Sequence, residues 1–298
     1  MDEKRKEEVW KDFWNRQRQT TSPAVVSAEW NAISKAQFES WANFAEQIPQ
    51  NARVLDIATG SGKVPLMLRH IRPDLELTGI DLADPLPPAP RSVRLIGGIA
   101  MTDLPFDDSS FDAVVSQFGF EYGNTEAAAE EILRVLRPGG RIGLMVHRGD
   151  GPILAHNRKR EEQIRWVKEE QELFHKINSL IPKTGTLAPD ALHFAASVAA
   201  EGKDRFGTGS VGWEIPEAVR RTLELGPRGS REKLLGTLKM IEEQSENELG
   251  RIESLAQACA TADARESLLQ VFVRSGRMPI MNPVRVADEA AFADLIIL

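Results

Sequence analysis

A chain of 298 residues with 42% hydrophobic and 27% charged residues is long enough to bury a sizeable core, as one large domain or two smaller ones. Its net charge of −7 argues against general nucleic-acid affinity, because that binding rewards clustered Lys and Arg. The single cysteine, Cys259, excludes an internal disulfide and a thiolate metal site, and the five histidines lack metal-ligand spacing, so no metal is expected.

The first residues, Met1 to Glu8, are charged and lack an apolar centre, so no secretory signal is expected there. No run approaches the roughly 20 apolar residues that span a bilayer. A cytoplasmic location is the resulting expectation. Residues 4–19 read as a helix with Val9, Trp10, Phe13 and Trp14 as its apolar stripe. A second helix is expected over 28–47, with Trp30, Ile33, Phe38, Trp41 and Phe44, ending before Pro49. Strand signals then occur at 53–57, 76–81, 93–97, 111–117 and 141–147, with helices at 62–71 and 124–136. The run Pro85 to Pro90 must be a loop, and Pro138-Gly139-Gly140 reads as a turn. Alternating strands and helices call for right-handed crossovers and a parallel sheet covered on both faces.

After Gly151 the pattern changes to helices alone, from about 157 to 260, with loops expected at 182–189, 202–215 and 225–231. A helix over 264–274 and strands near 278–286 and 291–297 bring the α/β pattern back. The sequence thus reads as N-terminal helices over 1–50, an α/β core of 51–151 plus 262–298, and a helical insertion of 152–261. An insertion of that size beside the carboxyl ends of strands commonly shapes a substrate pocket.

The most informative stretch is Arg53-Val-Leu-Asp-Ile-Ala-Thr-Gly-Ser-Gly-Lys63, followed by a helix and by a strand that ends in Asp81. Glycines let backbone approach a ligand, and the helix start behind them favours a negative group. An acid closing the second strand is placed to bind ribose hydroxyls. A dinucleotide loop would need a third glycine where Pro65 stands, and a P-loop would need a hydroxyl residue where Val64 stands. Asp56, just before the loop, would repel a pyrophosphate and attract a cation. S-adenosylmethionine, which bears a sulfonium and an ammonium and no phosphate, fits that charge pattern better than NAD.

Three blocks carry a resemblance. They are Val54-Leu-Asp-Ile-Ala-Thr-Gly-Ser-Gly62, then Asp103-Leu-Pro-Phe-Asp-Asp-Ser-Ser-Phe-Asp112-Ala-Val-Val, then Glu131-Ile-Leu-Arg-Val-Leu-Arg-Pro-Gly-Gly-Arg141. In this order they resemble the class I S-adenosylmethionine-dependent methyltransferases, in particular the small-molecule branch similar to ubiquinone/menaquinone-type C-methyltransferases. The resemblance covers about a third of the chain. It implies a Rossmann-like α/β fold with a mostly parallel seven-stranded sheet and a C-terminal antiparallel hairpin. It also favours a lid role for the aromatic N-terminal helices over plain packing. Two positions depart from the family pattern: Ala58 replaces its first glycine, and Ala100-Met101 stand where relatives often carry Asp-Ala near the adenine. The adenine contact then falls to Asp103 or is absent.

The cofactor-binding candidates are Asp56, Ala58, Gly60, Gly62, Asp81, Leu82, Ala100, Met101, Gln117 and Phe118. For Asp56 and Gly60 the competing reading is turn chemistry, for Asp81 a helix cap, and for Met101 core filling. The catalytic candidates are His147, Glu121 and Tyr122. His147 closes the fifth strand and could serve as a general base, against a simple hydrogen-bonded histidine; a lone loop tyrosine is more often packing than chemistry. The expected reaction moves a methyl group by in-line displacement to a small, fairly apolar metabolite at carbon, oxygen or nitrogen. No nucleic-acid partner is expected, and a homodimer is left open. The rival readings are a protein or RNA methyltransferase, and a scaffold that binds the cofactor without catalysis.

Overall fold

In the computed structural model, residues 28–183, 188–226 and 230–298 are described, with side chains from Ala32 onward. The expected helix over 4–19, with Trp10, Phe13 and Trp14, lies outside the described residues. Two compact units emerge: residues up to Leu154 together with Ser254–Leu298, and Ala155–Glu253.

The first unit is built on α1 (Ala28–Ala45), β1 (Arg53–Ile57), α2 (Lys63–Ile71), β2 (Glu76–Ile80), β3 (Val93–Ile96), β4 (Phe111–Gln117), α3 (Thr125–Val135) and β5 (Leu136–His147). It is completed by α9 (Arg265–Arg274), β6 (Ile280–Val284) and β7 (Ala293–Ile297). The seven strands lie in the order β3-β2-β1-β4-β5-β7-β6. The first five run parallel, and β7 pairs antiparallel with both β5 and β6. Strands β1 and β4 are buried nearly throughout because both faces of a parallel sheet are covered by helices.

Side chains along a strand alternate between faces, and that alternation sorts the core. Leu55, Ile57, Val114, Leu144 and Val146 join α3 and α9 residues such as Ile132, Leu268 and Phe272. Val54, Ala113, Val115 and Met145 instead pack under Trp41 and Phe44 of α1 and Leu68 of α2. Asp56, Gln117 and His147 fall by register on this second face, at the carboxyl ends of three adjacent strands. Ligands of open α/β sheets bind at that edge.

One expected turn is a correction. Pro138-Gly139-Gly140 lies inside β5, which begins at Leu136 rather than Arg141. The β4–β5 register jumps between the pairs Phe111↔Leu136 and Ala113↔Arg141, so these residues form a bulge, with Gly139 at φ +78°.

The second unit contains the rest of α4 (Pro152–Arg165), a π-turn at Trp166–Glu170, α5 (Leu173–Leu180), α6 (Pro189–Phe206), α7 (Val211–Leu225) and most of α8 (Arg231–Asp263). Its core joins Trp166, Phe174, Ile177, Val198, Val219 and Leu238. The expected loop over 202–215 shrinks to the residues between Phe206 and Val211. Gly202 sits within α6 because α7 comes too close for a side chain: a Cβ there would lie 2.2 Å from the Gly212 carbonyl oxygen. Pro216 lies inside α7, which Ser210 starts by accepting the Trp213 N–H.

Candidate functional site

The loop after β1 is wound by left-handed backbone at three alternate residues: Ala58 (φ +53°), Gly60 (+55°) and Gly62 (+75°). Gly60 and Gly62 take this conformation without strain; Ala58 carries a Cβ and does so at a cost of about 1 kcal/mol. What demands a small residue at 58 is the neighbouring loop. A Cβ on Gly119 would lie 2.5 Å from the Ala58 Cβ, so the end of β4 presses directly on the glycine turn.

Asp56 is buried behind this turn, 2% exposed. The Thr59 hydroxyl donates to its Oδ2 at 2.5 Å, while Oδ1 has no hydrogen-bond partner. Burial pushes the carboxyl up to about 8; the Thr59 bond pulls it down, and the nearby Asp81 carboxylate adds to the rise. An unmatched buried carboxyl oxygen is costly, and a cation brought against it would offset that cost. Asp81 accepts the Gly60 N–H (2.8 Å) at one oxygen and the Ala83 N–H (2.9 Å) at the other. Its carboxyl is also raised, first by burial, against those backbone hydrogen bonds. Asp81 thereby ties the glycine loop to the end of β2, and each oxygen keeps a second lone pair for a ribose hydroxyl. Leu82 beside it is exposed.

The other end of the expected cofactor stretch is less developed. Met101 packs against the core, and a Cβ on Gly123 would lie 2.4 Å from its Cε. Ala100 accepts the Asp103 N–H at 3.2 Å in a turn, and Asp103 is exposed.

Beyond β4 the chain turns at Phe118 (φ +56°) and enters a short 3-10 helix, Phe120–Tyr122. This turn brings the three catalytic candidates together. Glu121 is buried, and its Oε1 accepts the His147 backbone N–H (2.9 Å) and lies 2.8 Å from the ring Nδ1. Its Oε2 has no hydrogen-bond partner. Phe118 stacks on the His147 ring at 4.2 Å, and Tyr122 meets it edge-on at 5.8 Å. Because a carboxylate only accepts, the proton of a neutral His147 belongs on Nδ1, leaving Nε2 as the basic nitrogen.

Three contacts come from residues absent from the sequence candidates. Trp41 donates its indole N–H to Gln117 Oε1 at 2.7 Å. Lys63 Nζ donates to Gln37 Oε1 at 2.6 Å, and Gln37 is buried. Ser116 accepts the Phe120 N–H and donates to the Ile57 carbonyl, joining β4 to the end of β1. A usable signal exists for the first two: Gln37 is a polar residue on the same helical line as Ile33 and Trp41.

The site therefore offers a buried carboxyl without a counter-cation, a glycine loop and a ribose-type acid. These features fit a cationic, phosphate-free nucleoside, and no described basic side chain bonds Asp56 in its place.

Comparison with known proteins agrees. Residues 55–144 match the family described as a methyltransferase domain. A demethylmenaquinone methyltransferase of Thermus thermophilus is 41% identical over 99 residues, which are 30% of this chain and 44% of the relative. A ubiquinone/menaquinone biosynthesis C-methyltransferase of Geotalea daltonii is 32% identical over 36% of this chain and 51% of its own. The chain thus spans about half the length of the curated relatives it matches. Among solved structures, a possible histamine N-methyltransferase of Thermotoga maritima aligns with a TM-score of 0.38 and 17% identity, covering 53% of this chain and 69% of that one. Residues 55–144 thus match a methyltransferase domain, and over this stretch the chain is similar to S-adenosylmethionine-dependent methyltransferases.

Proposed function

We propose that the chain transfers a methyl group from S-adenosylmethionine to a small, fairly apolar acceptor. The observation that carries this reading is the buried, half-partnered carboxyl of Asp56 behind the glycine turn. Asp56 faces the cationic end of the cofactor, Asp81 the ribose, and the Ala58–Gly62 turn the backbone-approach surface between them. Leu82 and Met101 flank the adenine, with Ala100 beside them. Gln117 and Phe118 border the end where the methyl is delivered. When bound, the cofactor supplies an activated methyl group on a good leaving group.

The protein's own work is then positioning, exclusion of water and, for some acceptors, removal of a proton. Holding two reactants in attack geometry is worth roughly 7–11 kcal/mol. Glu121 fixes the His147 ring through Nδ1, and Nε2 takes a proton from an acceptor hydroxyl or amine. The Phe118 ring against His147 gives the same spot an apolar wall suited to a flat, apolar acceptor. Tyr122 completes that wall. A cytoplasmic, small-molecule role accompanies this reading.

The test is a methyl-transfer assay with labelled S-adenosylmethionine on small phenols, quinols and amines, using wild type and His147→Ala. Base catalysis predicts a loss of roughly 10²–10⁴-fold in turnover with cofactor affinity intact. Unchanged turnover would dismiss His147 as a base. Cofactor binding without turnover on any small molecule would favour a macromolecular acceptor, and no cofactor binding at all would favour a degenerate scaffold.

A further inference from the structure

The indole N–H of Trp41 can only donate, so its 2.7 Å bond fixes which end of the Gln117 amide faces it. Oε1 points to Trp41, and the NH2 group is turned away with no hydrogen bond among the described residues. The same logic holds one helical turn earlier. Lys63 can only donate, so Gln37 presents Oε1 to it and holds its own NH2 free of any described partner. Gln37 and Trp41 are four residues apart and share one face of α1. Lys63 itself has no acidic partner: its one described hydrogen bond goes to a neutral amide, and burial lowers its affinity for the proton. Donors thus gather under α1, on the sheet face that also carries Asp56 with its unmatched, buried Oδ1. Donors and a bare carboxyl oxygen on one sheet face match a zwitterion, with carboxylate and ammonium on one short chain.

We infer that Trp41 is a positioning residue, which holds the Gln117 amide so that its NH2 donates to the carboxylate of the cofactor's amino-acid tail. Trp41 touches no reactant. Its role is to deny Gln117 the flipped orientation, in which a carbonyl oxygen would meet that carboxylate. Gln37 of α1 and Lys63 at the start of α2 supply the remaining donors. This inference rests on the cofactor reading above.

Binding of two nucleosides, measured by calorimetry, separates the two. S-adenosylhomocysteine carries the amino-acid tail, and 5′-methylthioadenosine lacks it. Wild type is expected to prefer S-adenosylhomocysteine. Trp41→Phe keeps an aromatic ring, removes the N–H and leaves a smaller side chain; it should weaken S-adenosylhomocysteine by 3- to 10-fold and leave 5′-methylthioadenosine unchanged. Gln117→Glu keeps the bond from Trp41, loses the amide donor and adds a like charge, so S-adenosylhomocysteine should fall by more than 10-fold, again selectively. This second variant tests the contact even where Trp41→Phe, at a fully buried position, fails to fold. Equal losses for both nucleosides, or no loss in Gln117→Glu, would overturn the inference while leaving the cofactor reading standing. Failure of wild type to bind either nucleoside would overturn both.

Discussion

The two compact units treat buried polar groups in opposite ways. Among the described residues of the α/β unit, three buried side-chain polar atoms lack a partner, Asp56 Oδ1, Glu121 Oε2 and Arg265 Nη1. Two of these border the carboxyl ends of the strands. In the described residues of the helical unit there are none. There, Glu248 is held by Arg160 at 3.2 Å and by Arg251 at 2.8 Å, and Arg251 also reaches Asn157 at 2.6 Å. Leaving a buried polar atom unmatched costs roughly 1–3 kcal/mol, so a fold keeps one where something else is to be met. The contrast supports the site proposed in the α/β unit, and the described residues of the helical unit form a packed body with satisfied polar groups.

Asp56→Asn breaks this contrast most directly and should move two readouts in opposite directions. Burial raises the folded carboxyl to about 8 from an ordinary 3.8, so its favourable contribution is complete below about pH 4 and is lost as pH rises through 8. Asparagine does not ionise. The stability advantage of the variant over wild type should therefore grow by roughly 1.4 kcal/mol per pH unit across that window, to several kcal/mol. Denaturant melts between pH 4 and 9 read it. Above about pH 8, where Asp56 is ionised, the variant should lose S-adenosylmethionine affinity by roughly 10- to 100-fold, as expected for a charge-assisted contact removed, and the loss should shrink as pH falls. A variant less stable than wild type at pH 8.5 would mean that Asp56 is a structural carboxylate.

In the helical unit the expectation is the reverse. Leu238→Ala empties a buried core position and should cost about 2–5 kcal/mol in a denaturant melt. Nucleoside affinity of the remaining folded protein should stay within twofold of wild type, as judged by calorimetry. Smallest is Ala58→Gly, which relieves a left-handed alanine and should stabilise the protein by about 0.5–1 kcal/mol. If the melting midpoint drops instead, the Ala58 Cβ contributes packing that outweighs its backbone strain.

Much of the α/β unit was legible because its strands are short apolar runs set between turn residues, and Asp56, Gly60 and Asp81 sit in a single local motif. Where the reading slipped, a punctuating residue had been given its commonest meaning. Pro138-Gly139-Gly140 makes a bulge inside a strand beside β4, and Gly202 lies within a helix against which α7 packs, because such pairings between elements are not displayed by residue type alone. The same reason hid half of the site. Glu121 and His147 were each visible, yet their bond depends on β4 and β5 lying side by side. Trp41 and Gln117 are 76 residues apart, and only the packing of α1 on the sheet unites them. Trp41 read as core, and it is core; its indole N–H has a second use that periodicity does not display.

The central claim is that an uncompensated carboxyl beside a glycine turn selects a positively charged nucleoside without phosphate. Calorimetric titration of the wild-type chain with S-adenosylmethionine and with NAD, from pH 6.5 to 8.5 and in buffers of differing ionisation heat, tests it most directly. One S-adenosylmethionine should bind per chain, with release of a proton below pH 8, affinity that rises with pH, and no heat from NAD. Saturable NAD binding, or S-adenosylmethionine binding that neither releases a proton nor depends on pH, would contradict it.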